Sequence, residues 1–386
     1  MRLKDIGTIV TGNTPSKKNN EYYESNDILF IKPSDIEENY ITSLDNSEEY
    51  ISEKARKTAR ILPEGAVLVT CIGTIGKVGI LKKEASCNQQ INAIIPNDKV
   101  IPKYLAYLIQ SKQKILQSKA NAPVVPIINK TTFSEIEINI CDKDNQEKIV
   151  KQLELLKTII DKRKEQIEEL QNIIKSQFVE MFGDPILNNK KLECTQMPSV
   201  CEIIDGDRGK NYPKGEEFFE DEYCLFLNAK NVTSTGFSFD NCMFITKEKD
   251  KVLRNGKLQR GDIVLTTRGT IGNLAFYTKD IPYENVRINS GMVILRMKKN
   301  IVNEIFFIEQ FKMQLENIKN KIANGSAQPQ LPITKMNGIN VLTPPIELQN
   351  QFAEIVKQID KQKFEIQRNL EETQKLQKSL MNKYFG

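Results

Sequence analysis

Residues 73–76 read Gly-Thr-Ile-Gly, and residues 269–272 read Gly-Thr-Ile-Gly again. The spacing is 196, and the same spacing relates Gly65 to Gly261, Thr70 to Thr266, and Leu29-Phe30 to Leu225-Phe226. Further along, Pro126-Ile127 matches Pro332-Ile333 at 206 and Ile149-Val150-Lys151-Gln152 matches Ile355-Val356-Lys357-Gln358 at 206. Phe182-Gly183 matches Phe385-Gly386 at 203. An ordered series of matches marks an internal repeat. The 386 residues therefore read as two diverged copies, about 1–183 and 184–386.

Each copy has the same plan. Val67-Leu68-Val69-Thr70 and Ile263-Val264-Leu265-Thr266 read as buried strands running into Gly-containing turns. Tyr104 to Leu116 and Ile305 to Ile318 have helical spacing. A long polar segment without Gly or Pro follows, about 145–182 and 346–384. In the first, Ile149, Leu153, Leu156, Ile160, Ile167, Leu170, Ile174, Phe178 and Met181 form a coiled-coil seam interrupted at Arg163-Lys164. Its length corresponds to roughly 57 Å of helix. In the second, Phe352, Val356, Ile359, Ile366, Leu370 and Leu380 fit the seam, while Lys363, Thr373 and Gln377 interrupt it.

The expected fold class is α/β (α+β): two tandem mixed domains separated by two long antiparallel coiled-coil helices, an internal pseudo-twofold repeat. The expected boundaries are 1–143 and 184–343 for the domains, and 144–183 and 344–386 for the helices. Antiparallel pairing would put the two domains at opposite ends. Between Ile149/Ile355 and Ile160/Ile359 the matched spacing falls from 206 to 199, which predicts one extra heptad in the first helix.

Hydrophobic residues make up 39% and charged residues 27%, a soluble globular composition. Lys+Arg is 55 against Asp+Glu 50, a formal charge of +5. The helical segments account for almost none of that excess, so a polyanion should meet the mixed domains. There is no His and no Trp, which excludes a His general base, a Ser–His–Asp triad and a His-ligated metal. Seven Cys without C-x-x-C spacing suggest structural thiols in a reduced cytoplasmic protein. Met1-Arg2-Leu3-Lys4-Asp5 lacks a signal peptide's apolar run, and no apolar stretch is long enough for a membrane span.

No P-loop and no G-x-G-x-x-G occurs. No [Asp/Glu]-x-Lys triplet occurs, which removes the usual mark of a Mg²⁺-dependent restriction nuclease. An amino-methyltransferase needs an Asn/Asp-Pro-Pro-aromatic loop. Thr343-Pro344-Pro345-Ile346 lacks both flanking types and reads better as a strand end before a helix. Catalysis by this chain is not expected, and no metal or cofactor is expected on it.

Binding candidates cluster in loops, where any single polar loop can also be merely solvated. Thr11 to Asn20 offers Asn13, Thr14, Ser16, Lys17 and Lys18, and its counterpart Asp207 to Lys214 offers Arg208, Lys210 and Asn211. Asn88-Gln89-Gln90 pairs with Arg287-Ile288-Asn289-Ser290, and Asn121 pairs with Ser326-Ala327-Gln328. Lys32, Lys230, Arg254 and Arg268 stand alone. Lys and Arg suit phosphates, while Asn, Gln and Arg suit base edges. The Gly-Thr-Ile-Gly turns could cradle phosphate through backbone N–H groups, or could simply need positive φ.

Leu3-Lys4-Asp5-Ile6-Gly7, Thr11-Gly12-Asn13-Thr14-Pro15-Ser16, Ile28-Leu29-Phe30-Ile31, Gly73-Thr74-Ile75-Gly76 and Asn145-Gln146 before a long helix come in that order. Together with the duplication, they resemble the specificity subunit of type I restriction–modification enzymes. The resemblance implies two target recognition domains, each reading one half of a split site in double-stranded DNA. It implies helices that space the half-sites and bind two methyltransferase subunits, with restriction subunits joining that core. S-adenosylmethionine, Mg²⁺ and ATP would then act in the partner subunits. In the first copy Ala120-Asn121-Ala122-Pro123 stands where the second has Gly325-Ser326-Ala327-Gln328-Pro329, so Ala122 takes the place of Gln328. Rival readings are a coiled-coil scaffold whose end domains bind proteins, and an autonomous nuclease or methyltransferase. Self-association through the helices stays open.

Overall fold

The computed structural model describes residues 1–120, 125–298, 300–323 and 330–386. Two compact units emerge: Met1–Lys164 with Gln367–Gly386, and Glu165–Ile366. The division runs through both long helices, so each unit joins one mixed domain to part of each helix.

In unit one, strands β1 (Gly7–Thr11), β2 (Ile28–Ile31), β3 (Ile41–Leu44), β4 (Glu49–Ile51), β5 (Val67–Thr70), β6 (Val78–Leu81), β7 (Ala85–Cys87) and β8 (Ile91–Pro96) form two sheets. One has the order β1-β8-β5-β6-β3 and the other β4-β2-β7. Pairings are antiparallel except β3 with β6 and β2 with β7. β5 is buried along its whole length, which fits its unbroken Val-Leu-Val-Thr run. Helices α1 (Pro102–Ser111), α2 (Gln113–Ser118), α3 (Lys130–Ser134) and the beginning of α4 (Lys143–Phe182) complete the unit with the end of the last helix. The single helix expected over 104–116 is broken at Lys112, whose ammonium reaches the Phe385 carbonyl at 2.6 Å.

Unit two repeats the plan with β9 (Cys194–Gln196), α5 (Met197–Val200), β10 (Cys201–Asp205), β11 (Cys224–Leu227), β12 (Val232–Thr233), β13 (Gly236–Phe237), β14 (Phe244–Ile245) and α6 (Lys247–Val252). Then come β15 (Ile263–Thr266), β16 (Leu274–Phe276), β17 (Val286–Ile288), β18 (Met292–Met297), α7 (Glu304–Ala323), α8 (Ile333–Met336), β19 (Asn340–Leu342) and α9 (Ile346–Phe385). The sheet β10-β18-β15-β16 matches β1-β8-β5-β6, and β14-β11-β17 matches β4-β2-β7. The hairpin β12-β13 replaces the edge strand β3.

Within each unit the end of one long helix lies beside the beginning of the other, so the two run antiparallel. In unit two, Phe178 and Phe182 from the end of α4 meet Phe352 from the start of α9 and Phe306 from α7, with ring centroids 4.7–6.4 Å apart. In unit one the matching pair is Phe385 of α9 against Tyr104 of α1 at 5.2 Å. Buried aromatic pairs of this kind add about 1 kcal/mol each beyond their area.

The polar interruptions of the two seams face each other. The Arg163 guanidinium donates to the Asn369 carbonyl and the Thr373 hydroxyl in unit one. Lys363 donates to Gln171 at 2.8 Å in unit two. Arg163, Thr373 and Lys363, three of the breaks, are thus each met by a polar group on the other helix, while Lys164 turns to the Tyr40 hydroxyl at 2.5 Å.

A fully buried glutamine ties each long helix to its domain. Gln146 accepts from the Ile101 N–H at 2.9 Å and donates to the Lys99 and Cys141 carbonyls at 3.0 and 2.8 Å. Gln349 accepts from the Asn303 N–H at 2.9 Å and donates to Ile301 and Pro344 at 3.1 and 2.7 Å.

These glutamines set the true spacing of the copies at 203 along the helices. Both helices have 40 residues, from Lys143 to Phe182 and from Ile346 to Phe385, so the extra heptad expected in the first does not exist. The matches at 206 and 199 are slips of three and four residues. An amphipathic helix resembles itself after about one turn, and the two slips in opposite directions imitate a heptad. Pro126-Ile127 against Pro332-Ile333 is also off by three residues, here outside the long helices. Ile128 N–H bonds the Cys71 carbonyl just as Leu331 N–H bonds that of Thr267, both at 2.9 Å, which again gives 203.

Replacing Gln349 by Leu should destabilise unit two by about 3 kcal/mol, since it orphans one N–H and two carbonyls in a buried site. Denaturant unfolding checks this, and a change below 0.5 kcal/mol would show that the tie carries no weight.

Candidate nucleic-acid interface

The candidate loops come together, and in the same way in both units. In unit one, the loop after β1 is pinned by Gly12, where an added Cβ would lie 2.1 Å from the Asn88 carbonyl oxygen. In unit two a Cβ added at Gly206 would lie 2.2 Å from the Asn289 carbonyl oxygen, so these glycines correspond at a spacing of 194. Beyond the glycine, Thr14 donates to Gln89 at 2.7 Å. At the matching place, Arg208 reaches the Ser290 carbonyl at 3.3 Å. The first two candidate pairs of loops thus touch in each domain.

The line continues across the Gly-Thr-Ile-Gly turn. Cys71 N–H bonds the Gln90 carbonyl, and Thr267 N–H bonds that of Gly291, both at 2.8 Å. Ile72 bridges Ile127, and Arg268 bridges Gln330. The turn is held from beneath by a buried threonine. Thr70 Oγ1 donates to the Thr74 carbonyl at 2.5 Å and accepts from Lys77 N–H at 3.0 Å. Thr266 does the same with Thr270 and Asn273. Gly73 and Gly269 take φ of 75° and 70° and face open space, so their outer side is free for a ligand.

One model, the type I restriction modification DNA specificity domain, matches residues 1–172 and again 189–376. The chain belongs to this family. It carries two specificity domains. It is 26% identical to the type I restriction enzyme MjaIX specificity subunit of Methanocaldococcus jannaschii, over all of this chain and 92% of that protein. It is 32% identical to the HindI specificity subunit of Haemophilus influenzae over 44% of this chain and 38% of that one. A solved type I system S subunit from M. genitalium aligns over 100% of this chain and 95% of its own, with a TM-score of 0.60 and 16% identity. A solved chain from work on assembly and conformational transition of the type I R-M system aligns over 100% and 96%, with a TM-score of 0.58 and 15% identity.

Against this frame of two specificity domains, the candidate residues separate by what they already hold. Asn13 spends its carboxamide on the backbone: it donates to the Thr58 carbonyl at 2.7 Å and accepts from Arg60 N–H at 2.8 Å. Asp207 has the same duty, accepting from Arg254 N–H at 2.7 Å and Gly209 N–H at 2.8 Å. Burial works to raise the Asp207 carboxyl, but the N–H groups of Gly209, Arg254 and Asn255 hold it below the ordinary value. Lys32 is ion-paired with Glu49, and Arg208 with Asp205 at 3.1 Å. Asn211 donates to the Val252 carbonyl at 3.3 Å, Asn289 accepts from Gly291 N–H at 2.9 Å, and Gln90 accepts from Asn88 at 2.9 Å. Ser16 accepts from Lys18 N–H at 3.4 Å.

Lys17, Lys18, Lys210, Lys230 and Arg254 are exposed and form no ion pair among the described residues. Gln89 is exposed beside Thr14. Asn121 and Gln328 lie outside the described residues. Arg60 was not singled out from the sequence. It is exposed on this face and donates to the Thr11 carbonyl at 2.5 Å. It stands to Asn13 as Arg254 stands to Asp207, and their common spacing of 194 was the available signal.

Arg287, placed by sequence within a candidate loop, does not belong to the surface. It is 5% exposed and bonds Asp250 Oδ1 at 2.5 Å and the Asn255, Asp250 and Leu253 carbonyls at 2.7–3.1 Å. Ser86 occupies the matching place in unit one. Among the described residues no cluster of His, Cys, Asp or Glu could hold a metal, and no helix is long and apolar enough to cross a membrane.

Burial works to raise the Asp250 carboxyl, but Lys257 and Arg287 together keep it below its ordinary 3.8. Its pairing therefore stabilises unit two fully above pH 3.8, and the contribution falls as pH drops through the lowered value. Arg287→Met, which leaves Asp250 buried without Arg287, should cost about 3–5 kcal/mol at pH 7. Its deficit against wild type should shrink below about pH 4 in thermal unfolding, as the carboxyl is neutralised. A deficit independent of pH would contradict the pairing. Separately, Lys17→Ala with Lys18→Ala should weaken DNA binding across all sequences and lower the salt slope by about 1–2. An unchanged slope would rule out phosphate contact.

Proposed function

We propose that this chain is the DNA-reading subunit of a type I restriction–modification complex, each mixed domain reading one half of a split double-stranded site. The observation that carries this reading is the repeated face. In both domains the loop after the first main-sheet strand, the loop that leads into β8 or β18 at Gln90 or Gly291, and the Gly-Thr-Ile-Gly turn are joined by matching hydrogen bonds. Such a line offers amides and hydroxyls for base edges, with Lys and Arg beside them for phosphates.

The long helices serve as the docking surface for two methyltransferase subunits. Their seams are buried or half-buried, yet Leu155, Ile173, Phe364 and Leu376 remain exposed, with Phe364 at 71%. Exposed apolar side chains on otherwise polar helices favour a protein partner. S-adenosylmethionine would act in those subunits, and Mg²⁺ and ATP in restriction subunits that join them in the cytoplasm. This chain supplies sequence choice and no catalytic group.

The test is an exchange of residues 1–143 for another recognition domain, co-expressed with the methyltransferase subunit and read by selection from randomised duplex DNA. One half of the recovered split motif should change and the other stay. A change in both halves, or a motif that is not split, would overturn the assignment.

A further inference from the structure

The two domains differ in chemistry at one matched pair of bridges beside the Gly-Thr-Ile-Gly turns. On the strand-like bridge beside the second Gly-Thr-Ile-Gly turn, Arg268 lies opposite Gln330. At the matching bridge in unit one, Ile72 lies opposite Ile127. The bridges correspond because the next residues, Ile128 and Leu331, bond the carbonyls of Cys71 and Thr267 in the same manner.

Arg268 is exposed and anchored. Its Nε donates to Gln330 Oε1 at 3.2 Å, and its backbone N–H reaches the Gly291 carbonyl at 3.3 Å. It forms no ion pair among the described residues, unlike Arg208, Arg287 and Arg296, which hold Asp205, Asp250 and Asp262. Among the described residues its two terminal amino groups form no hydrogen bond, which leaves the fork available to a ligand. A guanidinium held by an amide at its Nε end has less freedom to lose when a ligand arrives, which favours a directional bidentate contact over a loose one with a phosphate. The planar fork fits O6 and N7 of guanine in the major groove. Ile127 is 39% exposed and offers only apolar surface, which suits the methyl group of thymine.

We propose that Arg268, positioned by Gln330, reads a guanine in the half-site of the second domain, while Ile72 and Ile127 make the matching position of the first half-site selective for thymine. The inference rests on the DNA-reading function above and adds which residues choose which base. Arg268 is the specificity residue, and Gln330 is a positioning residue.

The experiment uses the full chain in complex with its methyltransferase subunit and selection from randomised duplex DNA. Wild type should return a guanine at one position of the second half-site. Arg268→Lys keeps the charge but not the fork. It should lower the preference for that guanine about 10-fold or more, with the first half-site and the salt slope unchanged. Gln330→Ala should lower the same preference less. Ile72→Arg with Ile127→Gln should bring a guanine preference into the first half-site. If Arg268→Lys leaves the motif as it was, or Arg268→Ala weakens all sequences alike with a lower salt slope, Arg268 touches phosphate or nothing and the inference fails alone. If wild type returns no split motif, the DNA-reading function fails and takes this inference with it.

Discussion

A glutamine carboxamide with no contact with water, four residues into each long helix, decides how helix and domain join. Gln146 and Gln349 each close three hydrogen bonds with backbone groups from two separate segments. Inside a low-dielectric site such a set is either complete or costly, so it permits one geometry. The segment that leads into the long helix and the loop that leads into α1 or α7 are locked to it together. From that joint the aromatic contacts of Phe306 with Phe182, and of Tyr104 with Phe385, follow.

The same economy appears on the recognition face. Small buried or half-buried groups such as Thr70, Thr266, Asn13 and Asp207 spend their hydrogen bonds on backbone, which fixes loops without regular structure. What remains outside them is free to vary: Thr14 with Gln89 in one domain and Arg208 with Ser290 in the other. A frame held by backbone contacts can thus carry two different sets of reading side chains.

Much of this was legible in the sequence. The duplicated turn, the strands Val67–Thr70 and Ile263–Thr266, and the two long helices have strong local signals: glycine at positive φ, unbroken apolar runs and a three-four spacing. The register along the helices was not legible, because an amphipathic pattern nearly repeats at every turn, and the residue that breaks the tie is a polar one hidden among polar neighbours. Arg287 was misread for a similar reason: an arginine's type does not reveal whether its charge faces water or a buried Asp250. The complementary interruptions at Arg163 and Thr373 were each visible, but their meeting requires the pairing of segments about two hundred residues apart.

That pairing also sets an order of events. Glu165–Ile366 is one unbroken run, so unit two has everything it needs as soon as its own stretch has been made. Unit one does not. Its core includes Leu380, Met381, Tyr384 and Phe385, which are synthesised after the whole of unit two. The first domain to leave the ribosome must therefore wait with an open apolar flank, and the loop it finally closes spans the entire second unit. Contacts so distant in sequence are slow to form and leave surface exposed meanwhile. The domain translated first is thus the one completed last.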